Sequence, residues 1–501
     1  MGDPGGRDRP QRCEGFDMRR SLILVVVGAV LLAGCGSSSS GSSSPVNTEL
    51  SYLPANSSFV ATVETDPNGA AIKGANALIS RFSFGGLAMA ALKQKLQQQG
   101  INYDADLRPL FGNPVALAVT GSVSGVSNTD ALVVWVTKDA NKLKSLITKT
   151  VPGSHSVGSH DGVTLYEGKG AGAYAVDGAT LITGTSLPLV TAALDRHAHG
   201  GGISSSQYSN AMLGLPQDAL VKTFGNLTDA LSQASAANAR KVPWVAALKA
   251  YSATVTTSSS GLGVDFHLDT TGGSLTPAQL PFAPGTTAPG FAGSLPITFS
   301  VNDPAQIASF VESAQQVTSP AGYADFLKRQ AATRAKTGVD LNSLIQLLTG
   351  DLIIASNTKT AMGRVGVTNA ATAARTLAKL ASVPRGLDSS AKSVTKTGDF
   401  YAITDAKGSV TRIGIVGNQL VVGTASAAEL QRFASETPTP AAGANGSVAF
   451  RIGLASLLQL AMHGQSVPQA AQAILSSLGD ITGWASSSTS GITGDATVAV
   501  K

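Results

Sequence analysis

Cysteine is nearly absent from this sequence of 501 residues, which contains only Cys13 and Cys35. A disulfide framework and a thiolate zinc site each need several cysteines, so neither can be the basis of the fold. Stability must therefore come from a buried core. With 43% hydrophobic residues the chain can build a large core, and its length favours two domains.

Aromatic residues are also scarce, at 5% of the chain, and the formal net charge is only +5. Nucleic-acid binding needs a basic stripe or a recognisable module, and the sequence has neither. The densest basic group lies within residues 328–336, in a predicted helix. A solvated helix face explains this group, and attraction to anionic lipid head groups is the alternative. We therefore expect no nucleic-acid partner.

Long hydrophobic runs are missing except over residues 22–32, which follow two arginines. This run is too short to span a bilayer, since a membrane helix takes roughly 20 apolar residues. Alanine, glycine and then Cys35 follow it, which is the order of a secretory signal that ends in a lipobox. We predict that residues 1–34 are the signal peptide, with Met18 as the true start. Cys35 would then become the N-terminus of the mature protein and would be lipidated, with palmitate among its acyl groups.

A lipid on Cys35 would place the remaining chain outside the cytoplasm, anchored to the cell membrane. Residues 35–50 continue with glycine and serine, the composition of a flexible linker. The membrane, reached through the lipid, is therefore the expected partner. A protein partner or an apolar ligand stays open, because nothing in the sequence identifies either.

From Leu53 onward, short β-branched runs alternate with amphipathic helices. Residues 59–63 read as a strand, and Asp66-Pro67 as the cap and first turn of a helix. Asp139 is predicted to cap a helix whose leucines lie on one face, and Ser426 to open a capping box with the glutamate three residues later.

The same order of segments occurs twice. The matches include VETDP at 63–67 with SVNDP at 300–304, LITGTSL at 181–187 with LVVGTAS at 420–426, and SGLGVDFHLDT at 260–270 with SGITGDATVAV at 490–500. Five such matches keep an offset of 230 to 239 residues, which indicates a tandem duplication. We predict two homologous α+β domains, residues 51–274 and 293–501, each a largely antiparallel sheet flanked by amphipathic helices. The proline-rich residues 275–292 would be the linker between them.

The opening of the first repeat carries a family resemblance. LPANSS at residues 53–58, running into a strand and Asp66-Pro67 behind a lipobox and a serine-rich spacer, resembles a bacterial envelope family, the domain-of-unknown-function family thirty-three fifty-two. The second repeat keeps only Leu295-Pro296 of this motif. The resemblance implies an envelope lipoprotein and implies no catalytic residue, ligand or cofactor.

Histidines are the main candidates for chemistry, and there are six of them: His155, His160, His197, His199, His267 and His463. The sequence contains no H-E-x-x-H zinc motif and no G-x-S-x-G nucleophile motif. His155, His160 and Asp161 share a polar segment that could bind a metal, although a solvated loop is the simpler interpretation. His197 and His199 stand at a helix end, where cationic groups interact favourably with the last carbonyls. We therefore assign no catalytic, cofactor-binding or metal site.

These observations favour a non-enzymatic envelope module that binds or organises other components. A carrier of an apolar ligand or lipid at the membrane surface is one alternative, and a hydrolase whose site is assembled from distant residues is another. A cavity lined by aliphatic side chains would favour the carrier, and a cleft with converging titratable groups would favour the hydrolase.

Overall fold

The computed structural model of the protein describes residues 45–82, 85–120, 130–151, 154–168, 172–233, 236–272, 275–284, 289–292, 295–357, 359–383, 386–388, 390–440, 446–454 and 477–501. The predicted signal segment, Cys35, the linker up to residue 44 and His463 lie outside the described residues. The signal peptide, the lipid anchor and the linker therefore stay predictions.

Helices and strands alternate through the first half of the described chain. Its helices are α1 (Pro45–Tyr52), α2 (Ala70–Ser80), α3 (Gly85–Gln98), α4 (Ala140–Thr150), α5 (Leu187–His199), α6 (Ser205–Ala211), α7 (Thr228–Ser232) and α8 (Pro243–Ala247). Its strands are β1 (Phe59–Val63), β2 (Val115–Thr120), β3 (Asp130–Val136), β4 (His155–His160), β5 (Val163–Gly168), β6 (Gly172–Asp177), β7 (Thr180–Gly184), β8 (Val221–Asn226), β9 (Leu248–Ser258) and β10 (Gly261–Thr270).

The second half begins with the short strand β11 (Gly290–Phe291). Its helices are α9 (Pro304–Thr318), α10 (Pro320–Thr337), α11 (Leu341–Ile345), α12 (Ala370–Ala381) and α13 (Ala427–Ser435). Its other strands are β12 (Ile297–Val301), β13 (Leu348–Ser356), β14 (Ala361–Val367), β15 (Ala391–Thr397), β16 (Phe400–Asp405), β17 (Val410–Val416), β18 (Gln419–Gly423), β19 (Thr439–Pro440), β20 (Val448–Ile452), β21 (Leu478–Ser488) and β22 (Gly491–Val500).

Twenty of these strands form one sheet, and every pairing in it is antiparallel. In the first half the strands lie in the order β4-β5-β6-β7-β3-β2-β1-β8-β9-β10. In the second half the order is β15-β16-β17-β18-β14-β13-β12-β20-β21-β22. The prediction of a mixed α and β fold with a largely antiparallel sheet is confirmed.

The last strand of each half joins the two ten-stranded parts. β10 pairs with β22 over nine residue pairs, with Gly261 opposite Ala499 at one end and Asp269 opposite Gly491 at the other. Asp265 lies opposite Asp495 at the centre. Gly261 is the first residue of β10 and Gly491 the first residue of β22, and each of these strands is the second strand of a hairpin. The two ends of the β10–β22 pair therefore make equivalent contacts on either side of the two aspartates, as in an interface with twofold symmetry.

Both faces of the first half are covered, because neighbouring residues in a strand point to opposite faces of the sheet. Val134 in β3 packs with Leu50 of α1 and Val190 of α5 in one buried cluster. Its neighbour Trp135 packs with Leu143 of α4 in another. The sheet therefore forms the middle layer between helices.

The N-terminal boundary of the fold differs from the prediction. The Gly/Ser linker was predicted to reach residue 50, yet the chain is helical from Pro45. Its own residues Leu50 and Tyr52 are almost fully buried. An eight-residue helix is marginal alone, and packing against the sheet and α5 stabilises it here.

The role predicted for Asp66-Pro67 is also wrong in detail. The helix begins at Ala70 with Gly69 as its N-cap, three residues later than predicted. The Asp66 carboxylate accepts the Asn68 N–H at 3.0 Å, and its carbonyl accepts the Gly69 N–H at 2.9 Å. Asp66 therefore closes a turn before the helix, a competing use that short acidic side chains commonly have.

Within the described residues no single helix has the length and apolar character needed to cross a membrane. Helices α2 and α3 meet that criterion only as a pair, and they are bent by 115° where they meet.

Candidate functional site

Four of the side chains with possible chemistry meet where the β4–β5 hairpin approaches helix α5. His160 is the last residue of β4, and Asp161 begins the Asp-Gly turn that follows, with a left-handed φ of +49°. Two-residue hairpin turns commonly use Asp-Gly because both positions require positive φ. Asp195 and His199 lie four residues apart on α5, so they occupy the same helix face.

The distances in this cluster, which we call the His160 cluster, are short. His160 Nε2 lies 2.6 Å from Asp195 Oδ1 and 3.8 Å from Asp161 Oδ2. His199 Nε2 lies 3.8 Å from the same Asp161 oxygen. The hydrogen bond from His160 to the Asp195 carboxylate is the main cause that raises the pKa of His160. Burial opposes this increase, and the charges of Asp195 and Asp161 add to it by smaller amounts. The cluster can therefore hold a proton or a cation.

The prediction that residues 155–161 form a solvated loop is wrong in part. Residues 155–160 form the outermost strand of the first half, and only the turn after them is a loop. His155 lies opposite Glu167 at the far end of this strand, and it is exposed. The strand has no buried face, which is why its sequence shows no alternation of apolar residues.

His197 has a different environment from its helix neighbour His199. Its ring stacks on Tyr52 with centroids 4.1 Å apart, and its Nδ1 lies 2.6 Å from Ser51 Oγ. His197 therefore connects α5 to α1 through this ring stacking and this hydrogen bond. His267 lies in β10, within the strand pair that joins the halves.

Glu49 is a titratable residue that the sequence did not indicate. It lies on α1 with no exposed surface, and its Oε1 accepts the N–H of Val136 at 3.2 Å. Its Oε2 has no hydrogen-bond partner among the described residues. Burial is the main cause that raises the pKa of Glu49 to about 9, so the group is protonated at neutral pH.

Asp265 and Asp495 are two further titratable residues that the sequence did not indicate. Burial raises the pKa of each carboxyl, and the charge of Asp265 adds to the effect on Asp495. One sequence signal could have found them, since each is the sixth residue of its copy of the repeated hairpin. Their meeting across the join requires the tertiary structure.

A cavity of about 380 Å³ opens between the start of α9 and the start of β13. It is lined by residues 302–304 and 348–351, among which Asn302, Asp303, Thr349 and Asp351 are polar. The lining is mixed and the cavity is open to solvent, so it does not resemble an enclosed site for an apolar ligand.

The sequence profile of the family described as Protein of unknown function (DUF3352) matches residues 20–394. No curated protein matches the chain. Among solved structures, the chain is similar to "Structure of crystal form III of TP0453" with a TM-score of 0.27 and 9% identity, over 46% of this chain and 82% of that one. For crystal form I of TP0453 the TM-score is 0.27 and the identity 11%, over 46% and 81%. Likenesses at this level carry no argument about function.

Proposed function

The chain belongs to the DUF3352 family of proteins of unknown function, and we propose that it acts as a lipid-anchored, extracytoplasmic module of the cell envelope. In this proposal it binds or organises other envelope components and catalyses no reaction. The observation that carries the proposal is the single sheet of twenty strands. A sheet covered by helices and continuous across both halves is a rigid platform, which suits a binding or structural role.

We infer that the two halves, 51–274 and 293–501, are copies produced by tandem duplication. The support is that both halves have the same strand order and that the matched sequence segments lie on corresponding strands. The proline-rich residues 275–292 lie between them and include a short helical turn, Pro277–Gln279, and the strand β11. The connection is therefore partly structured in the described residues.

The anchor is proposed from the sequence. Cys35 ends a lipobox, and the described fold starts at Pro45. A flexible Gly/Ser segment of this length spans roughly 15–20 Å. The sheet would therefore lie next to the membrane surface and reach partners within that layer.

The positions of the titratable groups support a non-enzymatic role over a hydrolase. Glu49 has no exposed surface, so a substrate could not reach it. The side chains of Asp161 and Asp195 in the His160 cluster are about half exposed, at 52% and 49%. A hydrolase needs acids and bases that converge in a cleft open to its substrate, and neither arrangement provides one.

The anchor is tested by Cys35→Ala in cells that lack the native protein. We expect the variant to leave the membrane fraction after a carbonate wash, while the wild type stays. A variant retained as fully as the wild type would overturn the anchor.

The non-enzymatic role is tested by complementation. Alanine at His155, His160, Asp161, His197 or His199 should each leave the cellular phenotype close to wild type. Deleting a whole half should abolish complementation. If one alanine variant reproduces the null phenotype while it stays folded, exported and lipidated, the hydrolase becomes the better hypothesis.

A further inference from the structure

We propose that His160, Asp161 and Asp195, with His199 as a fourth ligand, form a binding site for one divalent transition-metal ion, and that Zn²⁺ fits it best. The ligand atoms of the first three residues already lie within 4.8 Å of one another. His199 approaches the same group through Asp161.

Three of the distances between ligand atoms are close to those around a tetrahedral ion. Zinc bonds of about 2.0–2.2 Å in a tetrahedron place neighbouring ligand atoms roughly 3.3–3.6 Å apart. The separations here are 2.6 Å between His160 and Asp195, and 3.8 Å from Asp161 to each histidine. Within these three pairs, His160 and Asp195 must move apart and Asp161 must move closer to each histidine, each by less than roughly 1 Å. His199 lies outside the group whose ligand atoms are within 4.8 Å of one another, so its exposed side chain must also rotate towards that group.

The kind of ligand selects the class of metal. Two imidazole nitrogens and two carboxylate oxygens suit zinc and its neighbours in the first transition row. Calcium prefers six to eight oxygen ligands, and magnesium an octahedron rich in water. Two carboxylates also balance the double positive charge of the ion.

A simpler explanation is an ion pair that fastens the β4–β5 hairpin to α5. The second half tests this explanation, because its β15–β16 turn meets α13 in the same way. There the contact is a hydrogen bond from the uncharged side chain of Gln431, through Nε2, to Asp399 Oδ2 at 3.4 Å. The positions corresponding to His160, Asp161 and Asp195 are Thr397, Gly398 and Ala434. Contact between the hairpin and the helix therefore does not require two histidines and two aspartates. Among the described residues, only the first half has these four side chains at this contact.

The experiment titrates the full chain, purified in detergent and stripped with a chelator, with ZnCl₂ in an isothermal calorimeter. We expect one saturable site per chain. His160→Ala and Asp195→Asn should each weaken binding at least roughly tenfold, and His199→Ala should weaken it less. Co²⁺ in place of Zn²⁺ should give the visible absorption of a tetrahedral site, and the two stronger variants should lose it.

His155→Ala is the matched control, since it removes an exposed histidine from the same strand, outside the cluster. It should bind Zn²⁺ as the wild type does. Circular dichroism checks that each variant is folded, and Zn²⁺ should raise the melting temperature of the wild type but not of Asp195→Asn. Absence of a saturable site, or equal affinity in the wild type and both strong variants, would overturn the metal site. Neither result bears on the proposed envelope role.

Discussion

Glu49 shows how one residue can link the stability of the fold to pH. Its pKa is raised by burial to about 9, whereas an exposed glutamate titrates near 4.3. The folded state therefore keeps a proton that the unfolded state has already lost. The stabilisation is complete below the unfolded pKa and is lost as pH rises through the folded pKa.

We therefore expect Glu49→Gln to remove a pH dependence. Glutamine keeps the shape of the protonated acid and can still accept the Val136 N–H. Below about pH 4, where Glu49 is protonated in both the folded and the unfolded state, the variant and the wild type should have similar free energies of unfolding. Between pH 5 and pH 9 the wild type should lose up to about 1.4 kcal/mol per pH unit relative to the variant. Urea unfolding at several pH values measures this difference, and parallel curves would show that Glu49 is ionised when folded.

The central carboxyl pair makes a second prediction at this scale. The pKa of Asp495 is raised by burial and by the charge of Asp265, so ionisation at neutral pH destabilises the join. Asp495→Asn should increase the free energy of unfolding at pH 7. The gain should vanish below about pH 3, where the wild-type carboxyls are protonated in both states.

Asp269→Asn is the control for the carboxyl pair, because Asp269 lies on the same strand as Asp265 and is exposed. It should change the unfolding free energy little at either pH. A loss of stability in Asp495→Asn at pH 7 would mean that the charged pair has a stabilising partner.

Helix caps act at the scale of the element. The Asp139 carboxylate accepts the N–H groups of Asn141 and Lys142 at 2.9 and 3.0 Å, as the sequence predicted. Asn369 caps α12 in the second half through the Thr372 N–H at 2.8 Å. Asp139→Ala and Asn369→Ala should each cost about 1 kcal/mol of stability, because the first-turn N–H groups lose their acceptor.

Thermal unfolding measures the cost of these caps. Lys144→Ala, an exposed change in the middle of α4, is the control and should stay within about 0.5 kcal/mol of the wild type. Cap variants as stable as this control would show that packing of the leucine face alone holds α4 in place.

Elements with a local signal were predictable from the sequence. The Asp139 cap with the buried Leu143 and Leu146 behind it is one case, and the capping box between Ser426 and Glu429 is another. In both, the residues that decide the structure lie within a few positions of each other, so composition and spacing carry the information.

Elements and sites that depend on distant partners were not predictable. Helix α1 has the composition of a linker at its start and forms because Leu50 meets the core. β4 has Val157 as its one apolar side chain and, among the described strands, pairs only with β5. Likewise, His160 and Asp195 are 35 residues apart, and only the packing of the hairpin on α5 brings them together.

At the scale of the whole molecule, the sheet depends on the contact between β10 and β22. Two glycines make this contact possible. A Cβ on Gly261 would lie 2.1 Å from the carbonyl oxygen of Val498, and a Cβ on Gly491 would lie 1.9 Å from that of Leu268. Both glycines also have positive φ, at +156° and +147°. The join therefore requires that the two backbones approach more closely than any side chain allows.

We expect Gly491→Ala to loosen the join while the outer strands stay intact. The added methyl group meets backbone atoms that cannot rotate away, so β22 must move away from β10. Gly398→Ala is the matched control, because Gly398 also has positive φ but has open space around its Cα. The control should lose about 1 kcal/mol from backbone strain alone, and Gly491→Ala should lose clearly more. Hydrogen exchange would locate the effect, with faster exchange expected in β10 and β22 and unchanged exchange in β5 and β16. Equal stability of the two variants, with equal protection of β10 from hydrogen exchange, would contradict this prediction. The two halves would then be held together by side-chain packing beneath the sheet, and the pairing of β10 with β22 would contribute little.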